Sequence, residues 1–330
     1  MESPNFRFNS IIQEMNCCFG INDIFDIYYD QNNELYLISP SDNFTIKIIR
    51  IKDKKLIKIL EGHTGKITLI RHFYNNITKK NYLISSGKKS EVKIWDLSDN
   101  YNLLFTLKIN YSENTCIYSC ILFFSENKGN YLITSSNENN NEDYTKIYDF
   151  NNQQFIANFE YTNQIEIFYL LLWENSSKNY LIESSLGRIL IHNLETKELF
   201  HILTPNNKSK QNSMCLIKNP EINNVDLLCA TTIHGNLDFW ELGTFTLKFS
   251  IKYKSSYFYD VINWYDKFII VAEKFNSSII IIDLFQRKVI NVLKNKNNSC
   301  VITLKKIIHP LFGQSILSSD LDKNIILWTH

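Results

Sequence analysis

The histidine in Glu61-Gly62-His63-Thr64-Gly65 is the first residue of this chain with an obvious chemical use. An imidazole can move a proton near neutral pH. Nothing in the surrounding sequence completes such a site. No Asp or Glu pairs with a nearby His or Ser in a nucleophile motif. There is no G-x-S-x-G, no phosphate-cradling Gly loop and no H-E-x-x-H. His192, His201, His234 and His309 are scattered singly, without metal-ligand spacing. The seven cysteines (Cys17, Cys18, Cys116, Cys120, Cys215, Cys229 and Cys300) are odd in number and contain no C-x-x-C pair. A disulfide framework or a zinc site would need paired spacing, so buried reduced thiols are expected. These readings predict no catalytic residue, no metal and no cofactor, and hence no enzyme.

Charge offers little more. Formal net charge is +1, which creates no long-range field toward nucleic acid or anionic membrane. Lys52-Asp53-Lys54-Lys55, Lys79-Lys80, Lys88-Lys89 and Arg287-Lys288 are short basic clusters that read as solvated turns. Contact with phosphate or lipid headgroups is the alternative function they would support. The segment Asn137 to Asp143 (NENNNED) is an acidic, Asn-rich insertion, and Pro205 to Gln211 (PNNKSKQ) is basic. Residues 1–10 lack a basic region followed by an apolar one, and no apolar run approaches the ~18 residues of a membrane-crossing helix. A cytoplasmic location is expected, with nuclear or cytoskeletal association open.

The elements that would hold these residues follow from a repeat. Apolar residues make up 44% of the chain and aromatics 14%, which fits a folded, core-forming protein. One pattern recurs: apolar positions, a large central residue, a polar residue, then an apolar one. Its clearest copy is Lys93-Ile94-Trp95-Asp96-Leu97, and others are Lys146 to Phe150 and Asp238 to Leu242. The central residues fall at 49, 95, 148, 192, 240, 282 and 328, so the steps are 46, 53, 44, 48, 42 and 46. Units of about 40–45 residues with four strands build propeller blades. Within the second unit, Lys66 to Tyr74, Tyr82 to Ser85, Glu91 to Leu97 and Leu103 to Ile109 read as strands bounded by polar turns. Near-continuous apolar runs such as Ser278 to Asp283 fit strands covered on both faces.

The predicted fold is all-β: a seven-bladed β-propeller of four-stranded antiparallel blades, one domain over residues 1–330. The last unit lacks a fourth strand of its own. The apolar segment Asn5 to Glu14, within residues 1–15, is expected to supply it and close the ring. Only 9 Gly and 5 Pro occur, so Asn is expected to take the left-handed turn positions.

The residues Glu61 to Ile67, Tyr82 to Gly87 and Val92 to Asp96 together resemble a WD40 unit, with its Gly-His pair, Ser-Gly and closing Trp-Asp. Leu317 to Trp328 is similar to the second half of that unit. The resemblance implies a buried tetrad of His, Ser or Thr, Asp and Trp. Blade 2 offers His63, Ser86 and Trp95 with Asp96 following, and Lys89 stands near the place of the turn Asp. Blade 7 offers Ser318, Asp322 and Trp328, and blade 5 keeps Trp240. A hydrogen bond nets about 0.5–1.5 kcal/mol and a buried large apolar side chain about 1.5–3, so packing carries the blades that lack a tetrad. The resemblance also implies function: a non-enzymatic scaffold or adaptor, monomeric by itself, that binds other proteins or peptides. The rim bearing the second-to-third strand connections is the expected contact surface. Its candidates are His63, Lys88, Lys89, Glu142, Asp143, Arg188, His234, Lys274 and Asp320. No Arg pair before Gly marks a phosphoinositide site, and no Arg two places after Asp96 marks a cullin-ligase receptor.

Overall fold

The computed structural model describes residues 7–14, 25–41, 43–87, 91–109, 116–137, 145–159, 167–175, 178–205, 211–219, 225–254, 257–296, 298–309 and 311–329. These residues form seven four-stranded antiparallel sheets and no helix. β1 (Arg7–Glu14) opens the chain and pairs in the last sheet. Blade 1 is β2 (Asp26–Tyr29), β3 (Leu35–Pro40), β4 (Ile46–Arg50) and β5 (Lys55–Leu60). Blade 2 is β6 (Ile67–Asn75), β7 (Lys80–Gly87), β8 (Glu91–Asp96) and β9 (Asn102–Lys108). Blade 3 is β10 (Cys116–Ser125), β11 (Gly129–Asn137), β12 (Thr145–Asp149) and β13 (Phe155–Phe159). Blade 4 is β14 (Ile167–Asn175), β15 (Lys178–Ser185), β16 (Arg188–Asn193) and β17 (Leu199–Leu203). Blade 5 is β18 (Gln211–Asn219), β19 (Val225–Thr232), β20 (Asn236–Glu241) and β21 (Thr246–Lys252). Blade 6 is β22 (Phe258–Trp264), β23 (Phe268–Glu273), β24 (Ser278–Asp283) and β25 (Lys288–Lys294). Blade 7 is β26 (Val301–His309), β27 (Gly313–Asp320) and β28 (Asn324–Thr329), with β1 as its fourth strand.

The recurring motif has a structural cause. Its central residue lies beside a β-bulge in every blade. The register shifts at Ile48/Ile49, Ile94/Trp95, Ile147/Tyr148, Ile191/His192, Phe239/Trp240 and Ile281/Ile282. In blade 7 the shift falls between Trp328 and Leu327, opposite β1. In blades 1 to 6 the extra residue is on the outer strand (Ile57, Leu104, Ile156, Phe200, Lys248 and Ile290), and it bends that strand beside the central residue. The polar residue that follows turns back on the chain. Asp96, Asp149, Asn193 and Asp283 each accept backbone N–H groups of the next turn through Oδ1, at 2.7–3.5 Å. Such Asx caps fix the turn into the outer strand.

The core is divided among the gaps between blades. Leu83 and Trp95 of blade 2 pack with Ile38, Ile46 and Ile48 of blade 1, while Ile84, Val92 and Ile94 pack with Leu132 and Tyr148 of blade 3. Strands such as β3, β8, β23 and β24 are therefore buried at every position. Outer strands such as β5 are mostly exposed. Closure completes the pattern: Phe25, Leu37 and Ile49 of blade 1 share a cluster with Ile302, Leu317 and Leu327 of blade 7. β1 runs antiparallel to β28 from Arg7↔Thr329 to Glu14↔Asn324.

Asparagine fills left-handed positions at Asn33, Asn100 and Asn298. The recurrent one, just before the outer strand, is filled instead by Lys54, Tyr101, Gln153, Lys197, Phe245 and Arg287, with φ between 52° and 62°. The Asx cap and the ladder on either side hold these residues where a free L-residue rarely goes.

Candidate functional site

Antiparallel pairing sorts the turns. Connections between first and second strands, and between third and fourth, lie on one rim, here the lower. Those between second and third, and from one blade to the next, lie on the upper. The expected tetrad and contact residues belong to the upper rim and the strands leading to it.

In blade 2 the network forms, with one correction. Trp95 Nε1 donates to Ser85 Oγ at 2.8 Å, and Ser85 Oγ lies 2.7 Å from His63 Nε2. The serine is Ser85, not Ser86. Trp95 pairs with Leu83 and Lys93 with Ser85, so these four side chains share one face. Ser86 points to the opposite face, where its Oγ is buried with no hydrogen-bond partner among the described residues. Burial, aided by the Lys93 charge, pushes the His63 pKa down to about 4. The neutral ring accepts from the Ser85 hydroxyl. His63 is 9% exposed and so is structural, not a contact residue. Asp96 is buried and bridged by Lys80 Nζ at 2.8 Å.

Blade 7 repeats half of the network. Trp328 Nε1 donates to Ser318 Oγ at 2.8 Å. Asp322, expected in the tetrad, is exposed. Asp320, expected on the rim surface, is the buried one. Asp320 accepts from Asn324 N at 2.9 Å and from Asn295 Nδ2 at 3.0 Å, which draws its carboxylate inward to tie the turn. In blade 5, Ala230 holds the serine register, and Trp240 Nε1 is buried with no partner among the described residues. In blade 4 the same two positions carry His192 and Glu183, 3.2 Å apart.

Lys88, Lys89, Glu142 and Asp143 lie outside the described residues, as does most of the acidic loop. Arg188, His234 and Lys274 are on the upper rim of the consecutive blades 4, 5 and 6 and are partly exposed. Lys274 Nζ lies over the rings of Tyr257, Tyr259 and Phe275, at 5.0, 5.6 and 5.8 Å from their centroids. Leu186 and Phe275 expose more than half of their surface there. This sector is aromatic, apolar and cationic.

The lower rim holds a second surface that sequence reasoning missed. A cleft of about 800 Å³ opens between blades 1 and 2. Its walls come from the end of β2 (Tyr28, Tyr29), the end of β6 (His72, Tyr74) and the turn after β8 (Ser98, Tyr101). Tyr28 donates to Tyr101 Oη at 3.1 Å and stacks on Tyr36 at 4.9 Å. His72 Nε2 donates to Asn81 Oδ1 at 2.8 Å. Burial holds the His72 ring below its usual range and the Tyr28 phenol above its own. Both are neutral, and each is engaged in these contacts. Tyr29 extends the surface to blade 7: its Oη accepts from Ile308 N at 2.8 Å and donates to Ile308 O at 3.3 Å. Beyond it Ile308 and Leu311 are 63% and 76% exposed. No sequence motif announces this cleft, because its tyrosines come from strand ends and a turn in two separate blades.

Among the described residues no cluster of three or more His, Cys, Asp or Glu could hold a metal, and no helix is long and apolar enough to cross a membrane. No family model matches the chain. A stretch of 112 residues, 34% of the chain, is 30% identical to a protein of Schizosaccharomyces pombe (strain 972 / ATCC 24843) described as probable coatomer subunit beta′. The match spans 13% of that protein's length.

Proposed function

We propose that this chain, a WD40-repeat β-propeller, is a non-enzymatic scaffold that binds proteins or peptides on both of its rims. One observation carries the reading: two exposed aromatic and apolar sectors lie on opposite rims and on different blades. The upper sector, Leu186, Arg188, His234, Lys274 and Phe275, spans blades 4 to 6. The lower sector, the tyrosine-lined cleft with Ile308 and Leu311, spans blades 7, 1 and 2. Two ligands on opposite rims do not exclude each other, which is what a scaffold requires. Rigid blades hold the turns at fixed angles, so little ordering is needed on binding. Aromatic anchors in a concave site, ringed by polar groups, suit protein recognition.

The relative is by its description a subunit, and that supports a place within an assembly. A cytoplasmic location and a free chain that is monomeric belong to the same proposal. Crosslinking with mass spectrometry on the protein in its native cells tests it. Crosslinks from two different proteins, one set at Lys274 and one at Lys79 or Lys306, support the scaffold. Crosslinks confined to one rim reduce it to a single-partner binder. Flotation with anionic vesicles and no protein crosslinks would replace it with the lipid reading.

A further inference from the structure

Cys215 on β18 and Cys229 on β19 are directly opposite each other in the antiparallel ladder of blade 5. Their side chains share one face, in the cluster between blades 5 and 6. Both are free. Residues opposite each other in an antiparallel pair have Cα atoms about 4.5 or 5.5 Å apart, depending on the ladder position. Both values fall within the roughly 4.4–6.8 Å that a disulfide spans. The Cβ atoms start about 4.5–5.5 Å apart. An approach of about 1 Å brings them into the bonded range. The sequence hides the pair, since the two cysteines are far from C-x-x-C spacing and only the hairpin register brings them together.

We propose that Cys215 and Cys229 form an oxidation site, which hydrogen peroxide converts to a cross-strand disulfide. The two thiols have unequal access. Cys215 is on the innermost strand and partly exposed, whereas Cys229 is fully buried. Cys215 therefore meets the oxidant. Its deprotonated sulfur attacks one peroxide oxygen, the O–O bond breaks, and the departing hydroxide takes up a proton as water. Cys215 becomes a sulfenic acid. The Cys229 sulfur then attacks that sulfur, the S–O bond breaks, and the hydroxyl leaves as water with the Cys229 proton. Two thiols lose two electrons and one peroxide becomes two waters. Burial pushes the Cys229 thiol up, which keeps it protonated and unreactive until the neighbouring sulfenic acid forms. The product staples the two inner strands of blade 5, the blade that carries His234.

The test uses the full chain, reduced, freed of reductant and exposed to hydrogen peroxide. It is then alkylated in denaturant and digested with trypsin. Cleavage after Lys218 separates the two cysteines, into peptides 211–218 and 219–248. The expected product is these two peptides linked, two hydrogens lighter than their sum, and released by dithiothreitol. In Cys215→Ser, Cys229 should stay fully alkylatable after peroxide. Three results overturn the proposal: both cysteines still alkylated after Cys300 has oxidised, Cys215 driven to a sulfinic acid without linkage, or Cys215 linked to another cysteine. The wild-type map decides the matter alone should the Ser variant not fold.

Discussion

Trp95 and His63 meet on one oxygen: the Ser85 hydroxyl accepts from the indole at 2.8 Å and donates to the imidazole at 2.7 Å. All three side chains are buried. Ser85→Ala strands two buried polar groups, at about 1–3 kcal/mol each at most. We expect a loss of about 2 kcal/mol in urea unfolding. Ser86→Ala removes a hydroxyl with no hydrogen-bond partner among the described residues, and its cost should stay below about 0.5 kcal/mol. Equal losses would return the network to Ser86.

The same network sets a pH dependence. His63 has a folded pKa of about 4, below the ordinary value near 6.5. As pH falls below 6.5 the unfolded chain takes up a proton that the folded chain refuses. Stability is therefore full above 6.5, declines toward pH 4, and loses no more from this group below that. The total is at most about 3 kcal/mol. His72 and His309, also lowered by burial, add in the same direction. Urea midpoints of wild type and His63→Gln, measured from pH 7.5 to 4, should converge as pH falls. Parallel curves would mean that His63 takes up its proton as readily in the fold as in the unfolded chain.

Trp240 shows what the network lacks elsewhere. Its indole N–H is buried and unbonded among the described residues, and Ala230 stands where Ser85 and Ser318 stand in their blades. Ala230→Ser supplies the missing acceptor. A gain of about 0.5–1.5 kcal/mol is expected, an uncommon sign for a polar group introduced into a core. A loss would show that the new hydroxyl cannot reach Nε1.

Blade 4 solves the same position differently. His192 and Glu183 occupy the tryptophan and serine registers, and the Phe159 ring, 4.7 Å from the imidazole, fills space that Leu60 leaves to Trp95 in blade 2. Removing one partner leaves a polar group buried alone. Glu183→Leu or His192→Leu should each cost about 1–3 kcal/mol. The double replacement should lie nearer to wild type than either single one. Additive losses in that double-mutant cycle would mean that the two side chains do not interact.

The blades were legible in the sequence because the same central position, opposite an outer-strand bulge in blades 1 to 6, recurs at a steady spacing and is followed by a turn-capping Asp or Asn in blades 2, 3, 4 and 6. Strand limits in blade 2 fell within two residues for the same reason: apolar runs end where polar turns begin. Ser85 and Ser86 were not separable by composition. In a strand covered on both faces, alternation carries no polarity signal, and only the pairing with Trp95 tells them apart. Asp320 and Asp322 stand two positions apart in one turn, and the buried one is fixed by Asn295 from the preceding connection. The lower cleft was invisible because Tyr28, Tyr74 and Tyr101 become neighbours only when two blades stack.

The scaffold reading turns on whether the two rims act separately. Quantitative affinity capture from native cells, comparing wild type with Leu311→Asp and with Phe275→Asp, asks this directly. Both positions are exposed, so folding should be preserved within about 0.5 kcal/mol. The account predicts that each substitution removes a different partner by tenfold or more and leaves the other at its wild-type level. Retention of every partner by both variants would contradict it.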